Sequence, residues 1–277
     1  KIRTSETYAT SLSSFKRFRK GRDMALEAVD SDTMIAYEAW LKDCGLSLNT
    51  CSFYMRNLRA VYNRAVEKGL TTQQFPFKHV YTGVEKTVKR AVPLKTIRQI
   101  REMDLSDSPA SDFARDMFMF SFYTRGMSFV DMAYLRKKNL QGGILSYRRR
   151  KTGQKLFIKW EKCMQEIVEK YEIPQSNYLL PIIKPFSDID ERKQYIYAVH
   201  NINRCLKIIG KELGLSVSLT LYVARHAWAS IAKSKNVPLS VISEGMGHDS
   251  EATTRIYLAS LDTVAIDKAN SMILKDL

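Results

Sequence analysis

The chain has 277 residues, 45% of them hydrophobic, with 44 Lys and Arg against 29 Asp and Glu, a formal charge of +15 and a pI near 9.6. That composition excludes a disordered chain, supplies apolar mass for one large domain or two ordinary ones, and contains no apolar run approaching the roughly 18 residues of a spanning helix. The basic excess points to a polyanion, either nucleic acid or an anionic membrane face. Both parts of the chain are basic, +7 over residues 1–90 and +8 over 91–277, which favours nucleic acid, because a membrane anchor concentrates charge in one tail.

The chain opens on Lys1-Ile2-Arg3-Thr4, neither an initiator Met nor a signal peptide, and is read as a piece of a longer protein. Tyr8, Leu12, Phe15 and Phe18 recur at helical spacing, with Lys16, Arg17, Arg19 and Lys20 between them. Ser31 or Asp32 caps a second helix through Met34, Ala36, Tyr37, Trp40 and Leu41, stopped by Gly45. Ser47 or Asn49 starts a third, with Leu48, Cys51, Met55, Leu58 and Tyr62 on one stripe and Gly69 at its end. Arg56, Arg59, Arg64 and Lys68 project from this helix, as phosphate contacts or as an ordinary solvated surface.

Periodicity fades over residues 71–92, through Pro76, Gly83 and the basic run from Lys86 to Arg90, and this reads as linker sequence. The expected organisation is a helical domain over residues 1–85, a linker over 86–92, and a second domain over 93–277. Pro93 suits a first helical turn, and Leu94, Ile97 and Ile100 open the second domain. That domain is mainly helical with one exception. Ile144 to Lys151 and Gln154 to Trp160 are β-prone runs around Thr152-Gly153, which predicts a hairpin. Helices are predicted around Cys163–Tyr171, Glu191–Leu213, Tyr222–Lys233 and Leu239–Glu244, with a final one from Asp262 onward.

Cys44, Cys51, Cys163 and Cys205 are scattered, with no C-x-x-C pair and no His at metal-ligand spacing, as in a reduced cytosolic protein. No metal and no other cofactor is expected. There is no P-loop, HExxH, Gly-x-Ser-x-Gly or paired-carboxylate site, which leaves Arg, Lys, His and Tyr side chains to carry any chemistry. Cleaving a phosphodiester with these alone takes a nucleophile, cationic donors for the phosphoryl oxygens, and an acid for the leaving oxygen.

The stretch Gly245-Met246-Gly247-His248-Asp249-Ser250-Glu251-Ala252-Thr253-Thr254-Arg255-Ile256-Tyr257 resembles the Leu-Gly-His-x-Ser-x-x-Thr-Thr-x-x-Tyr signature of tyrosine recombinases. Upstream, Tyr222-Val223-Ala224-Arg225 resembles that family's His-x-x-Arg box, and a hairpin lysine precedes both. The resemblance covers the whole chain. It implies a SAM-like helical core-binding domain, then a mixed, mainly helical catalytic domain with a small β-sheet. It also implies that Tyr257 attacks the scissile phosphate to form a 3′-phosphotyrosyl link, that Arg225 and His248 donate to the phosphoryl oxygens, and that Lys151 protonates the leaving 5′-oxygen.

Two positions depart from the family pattern. Tyr222 stands where the box has His; a phenol with an unperturbed pKa of about 10 is a poor base but a good donor, so it is expected to help hold the phosphate. His226, one helical turn on, is expected to be structural. In Thr124-Arg125-Gly126-Met127-Ser128, Ser128 occupies the place of the family's first arginine, and Arg125 is expected to substitute, the competing role being a structural ion pair with Asp131 or another acid. Variants of this kind resemble integrases of Bacteroides-type mobile elements.

The resulting expectation is a cytoplasmic site-specific recombinase of a mobile element, acting on double-stranded DNA without metal or ATP. It would be a monomer in solution and a tetramer on DNA, with a host DNA-bending protein as a further partner and no membrane. Arg56, Arg59 and Arg148 are candidate DNA contacts. A type IB topoisomerase-like nicking-closing enzyme and a catalytically impaired DNA-binding relative remain as alternatives.

Overall fold

The computed structural model describes residues 2–85, 91–258 and 274, and the chain divides into two compact units, Lys1–Thr87 and Val88–Leu277. The basic run from Lys86 to Arg90 and nearly all of the expected helix from Asp262 onward lie outside the described residues.

In the first unit, α1 (Ile2–Phe18), α2 (Ser31–Asp43) and α3 (Leu48–Glu67) enclose Met34, Tyr37, Leu41, Cys51, Met55 and Tyr62. The α1 stripe differs from the expected one, because Tyr8 and Leu12 are exposed while Ser11 and Ser14 are buried. Two small hydroxyl residues let α1 approach closely, and both are bonded. The Tyr37 hydroxyl donates to Ser14 Oγ (2.8 Å) and Asn57 Nδ2 donates to Ser11 Oγ (3.0 Å). The α2 cap is Asp30, not Ser31 or Asp32: its carboxylate accepts the Thr33 amide at 2.8 Å. Ser47 caps α3, and Gly45 and Gly69 adopt the positive φ that ends the preceding helices.

Residues 71–85 form no helix yet belong to this unit. Phe77 and Val80 are buried in its core, the Tyr81 amide donates to Glu38 (2.8 Å), and the Glu85 amide donates to Asn49 (2.8 Å). Loss of periodicity here marks irregular chain stitched by side chains, not the start of a spacer.

The second unit is built around α5 (Pro109–Tyr123), which packs against α4 (Leu94–Glu102), α7 (Lys162–Lys170), α8 (Glu191–Glu212) and α9 (Leu221–Ser234). Met117, Phe118, Met119 and Phe120 are all buried, so this helix is covered on every side and carries no amphipathic stripe. Val92, within the expected linker, is buried in the same core. Asp116 fastens α5 to α7, accepting from Lys170 (2.7 Å) and from the Tyr171 hydroxyl (2.8 Å). The short α6 (Phe129–Ala133) follows, and α10 (Leu239–Met246) and α11 (Glu251–Leu258) complete the unit.

A three-stranded antiparallel sheet interrupts the helices: β1 (Leu140–Gln141), β2 (Ile144–Arg148) and β3 (Lys155–Lys159). Gly142 and Gly143, both at positive φ, make the two-residue turn from β1 to β2, a strand the sequence did not reveal. The expected Thr152-Gly153 turn is instead the far end of a longer loop. Arg149 N donates to Gln154 O (2.8 Å) and Gly153 N to Arg149 O (2.7 Å), so Lys151 sits in the loop itself. Leu145 and Tyr147 on β2 and Leu156 and Ile158 on β3 face the core.

Replacing Ser14 with Ala is expected to leave the buried Tyr37 hydroxyl unpaired, at a cost of about 1–3 kcal/mol. Native-state hydrogen exchange of the α1 and α2 amides should accelerate accordingly, with the second unit unchanged.

Candidate active site

The site is organised by two helix C-termini that close with the same pair of hydrogen bonds. At the end of α5, Arg125 N donates to Phe122 O (3.2 Å) and Gly126 N to Ser121 O (2.8 Å). At the end of α10, Gly247 N donates to Glu244 O (2.9 Å) and His248 N to Ser243 O (3.0 Å). Each is a Schellman closure, which needs a left-handed residue just past the helix. Gly247 supplies it at φ +65°, but at α5 the position falls to Arg125, at φ +62°. A left-handed non-glycine residue costs about 1–3 kcal/mol and is the kind of outlier that marks a functional turn.

Both ends converge on Arg225 from α9. This guanidinium is only 5% exposed; Nη1 donates to Gly126 O and Nη2 to Met246 O, each at 2.6 Å. The approach is so close that a Cβ at Gly126 would lie 2.7 Å from Arg225 Cα, so position 126 admits glycine alone. Arg225 Nη2 also lies 3.0 Å from His248 Nε2. A guanidinium only donates, so Nε2 accepts, the ring proton is on Nδ1, and Nδ1 donates to Thr254 Oγ1 at 2.7 Å. Thr254 is fully buried on α11, one turn before Tyr257. The backbone of Tyr257 is helical; its side chain lies outside the described residues. Burial, reinforced by Arg225, Arg149 and Lys151, pulls the His248 pKa down to about 4.

The hairpin loop docks onto the same place. The Arg149 guanidinium, 6% exposed, donates to Gly247 O, and Thr152 Oγ1 donates to the same carbonyl at 3.4 Å. Exposed Lys151 therefore lies between two residues tied to the neighbour of His248. On its other side the loop is pinned by buried Asp131, whose Oδ1 accepts the Arg150 amide (2.9 Å) and whose Oδ2 accepts from Ser128 Oγ (2.6 Å). Ser128 thus holds the carboxylate that shapes the lysine loop.

Arg125 is half-buried and forms no ion pair with Asp131 or any other described residue, in contrast to the competing role considered for it. Arg225, Arg149 and Arg125 all oppose the upward pKa shift that burial and Asp131 impose on Tyr147 of β2. Tyr222, 59% exposed, lies edge-on to the ring of buried His226, with centroids 4.5 Å apart. Arg56 and Arg59 belong to the first unit; Arg59 donates to Thr82 Oγ1 (3.1 Å), and Arg56 Nε lies 3.4 Å from Ser52 O. Arg148 is exposed and folds back onto the Gly153 carbonyl.

Arg149 is the residue that sequence reasoning missed. Within Arg148-Arg149-Arg150 composition distinguishes none of the three, but strand alternation does. With Leu145 and Tyr147 inward, the next inward position is 149. Among the described residues, no group of three or more His, Cys, Asp or Glu side chains is placed to hold a metal ion, and no helix is long and apolar enough to cross a membrane.

A family model for the phage integrase SAM-like domain matches residues 1–80, and one for the phage integrase family matches residues 93–263. The chain is similar to the tyrosine recombinase XerD of Pseudomonas aeruginosa, 20% identical over 262 residues that cover 92% of this chain and 85% of that protein. Among solved structures it is similar to the XerH site-specific recombinase in a post-cleavage complex with a palindromic difH substrate. The TM-score is 0.72 at 16% identity, covering 96% of this chain and 78% of that one. It is also similar to a lambda integrase tetramer bound to a Holliday junction, with a TM-score of 0.66 at 17% identity, covering 90% and 70%. At such identities these structural matches report shared fold.

Two outcomes are expected from this geometry. In the DNA-free protein the His248 ring should stay neutral down to about pH 4, read by its NMR titration. Because its folded pKa lies below the unfolded value of about 6.5, the unfolded chain binds the proton first. Stability should therefore fall as pH drops from about 6.5 to 4, and this component should vanish in His248→Gln. Gly126→Ala should displace Arg225 and cost about 1–3 kcal/mol, seen in urea denaturation.

Proposed function

This chain belongs to the phage integrase family, and we propose that it is a site-specific DNA recombinase of a mobile element that cuts and rejoins duplex DNA through Tyr257. The observation that carries this reading is the bonded chain Gly126–Arg225–His248–Thr254. It links the corner after α5, α9, the end of α10 and the helix bearing Tyr257 around one cationic centre.

In the proposed reaction the Tyr257 hydroxyl attacks the scissile phosphorus, its proton passing to solvent as the bond forms. The bond to the 5′-oxygen breaks, and Lys151 gives that oxygen a proton. Arg225 and His248 donate to the phosphoryl oxygens as charge develops, and Tyr222 helps to hold the phosphate from the solvent side. Arg125, fixed in a strained turn, keeps the centre positive. The phosphotyrosyl bond retains the energy of the bond it replaced. A 5′-hydroxyl from a partner duplex then reverses the step, with no metal or ATP. The partner is double-stranded DNA. The protein is proposed to be monomeric when free and tetrameric on synapsed sites, to work with a host DNA-bending protein, and to act in the cytoplasm. Arg56, Arg59 and Arg148 are proposed to contact the duplex backbone or grooves.

The test is a duplex from the element's own end, nicked just 3′ of the cleavage point so that the released fragment is lost. In EDTA the wild-type protein is expected to give a covalent protein–DNA band on a denaturing gel, and Tyr257→Phe to give none. DNA binding with no band from the wild type would mean a protein that only binds.

A further inference from the structure

Resting on the recombinase reading, we propose that Arg149 is the second phosphate-binding guanidinium, entering from the hairpin in place of the arginine that Ser128 replaces. Ser128 itself is not available, since its hydroxyl is bonded to Asp131. Arg149 resembles Arg225 in two features that prepare an arginine to receive a phosphate. It is buried to the same degree, 6% against 5% exposed, and it too donates to a backbone carbonyl at the end of α10. The two carbonyls belong to consecutive residues, Met246 and Gly247, immediately before His248, so both guanidinium groups are tied to the same turn at the end of α10.

Arg149 is also incomplete without an anion. Among the described residues its buried Nε has no hydrogen-bond partner and its guanidinium forms no ion pair. A buried cation in that condition carries a desolvation cost that a carboxylate would ordinarily offset. Asp131 has both oxygens engaged elsewhere, by Ser128 and by the Arg150 amide. A phosphoryl oxygen supplies the missing acceptor and the missing charge together, in the forked geometry that guanidinium favours. Arg125 is less well prepared: no described residue holds its guanidinium, so it adds charge without a fixed donor direction.

The experiment compares covalent-complex formation by the full chain on two nicked duplexes. They are identical except that the second carries a methylphosphonate at the cleavage point, with one charged oxygen replaced by methyl. On the phosphate duplex Arg149→Ala is expected to slow the reaction about 10²–10³-fold, and Arg125→Ala less than about tenfold. On the uncharged duplex Arg149→Ala should come within about tenfold of the wild type, because there is less charge to neutralise. A purely structural role, in which Arg149 only docks the hairpin on Gly247, would leave the variant equally impaired on both duplexes and overturn the proposal. So would full activity of Arg149→Ala on the phosphate duplex. Failure of the recombinase reading looks different: the wild-type protein would then form no covalent complex with the phosphate duplex.

Discussion

Everything at this site depends on how a buried guanidinium is held. Arg225 is gripped by the carbonyls of Gly126 and Met246, which project from the ends of two helices. Helix C-termini carry partial negative charge, so these acceptors repay part of the cost of taking the cation out of water. They do so without a full negative charge of their own. A carboxylate in the same place would neutralise the guanidinium and compete with any incoming phosphate. Carbonyls orient it and leave its charge in place for a ligand.

That constraint reaches outward through the backbone. Gly126 must pass within van der Waals contact of Arg225, which requires the left-handed turn begun at Arg125. Gly247 must also be glycine: besides its φ of +65°, a Cβ there would meet Leu156 Cδ1 at 2.9 Å and Arg149 Cδ at 3.1 Å. The hairpin can therefore seat its loop against the end of α10, which places Lys151 beside His248. Asp131 completes the frame from below, joining α6 to the Arg150 amide. The residues with chemistry are few; those that fix their separation are backbone carbonyls, two left-handed turns and one carboxylate.

This division explains what the sequence discloses. The run from Gly245 to Tyr257, Arg225 and the hairpin lysine stand out because their chemistry allows few substitutes. The helices of the first unit show through the periodicity of Met34, Tyr37, Leu41, Cys51 and Met55, which pack on one side only. Helix α5 is hidden for the opposite reason: its run Met117–Phe120 is buried on every side, so no apolar stripe alternates with a solvated face. Residues 71–85 are hidden because their order comes from single side-chain bonds to Glu38 and Asn49, which leave no repeat. The bonding of Ser11 and Ser14 is a tertiary fact, invisible until α2 and α3 are in place. Arg149 was within reach of an alternation argument, but three consecutive arginines look like solvated charge unless the register of β2 is known.

The same geometry couples proton and phosphate. In the DNA-free protein His248 accepts a hydrogen bond from Arg225 and is held neutral by burial and by surrounding cations. A neutral ring with its proton on Nδ1 offers Nε2 only as an acceptor, the wrong polarity for a phosphoryl oxygen. In the proposed reaction, a phosphate arriving between these cations would reverse the field: it would take over as the acceptor for Arg225 and favour the charged imidazolium, which can donate from Nε2. Proton uptake at His248 and phosphate binding would then assist each other by linkage, each strengthening the other by the same factor. Held by helix-end carbonyls, the DNA-free site is a set of cations around one neutral histidine, and in the proposed reaction it is the scissile phosphate that would change its proton state.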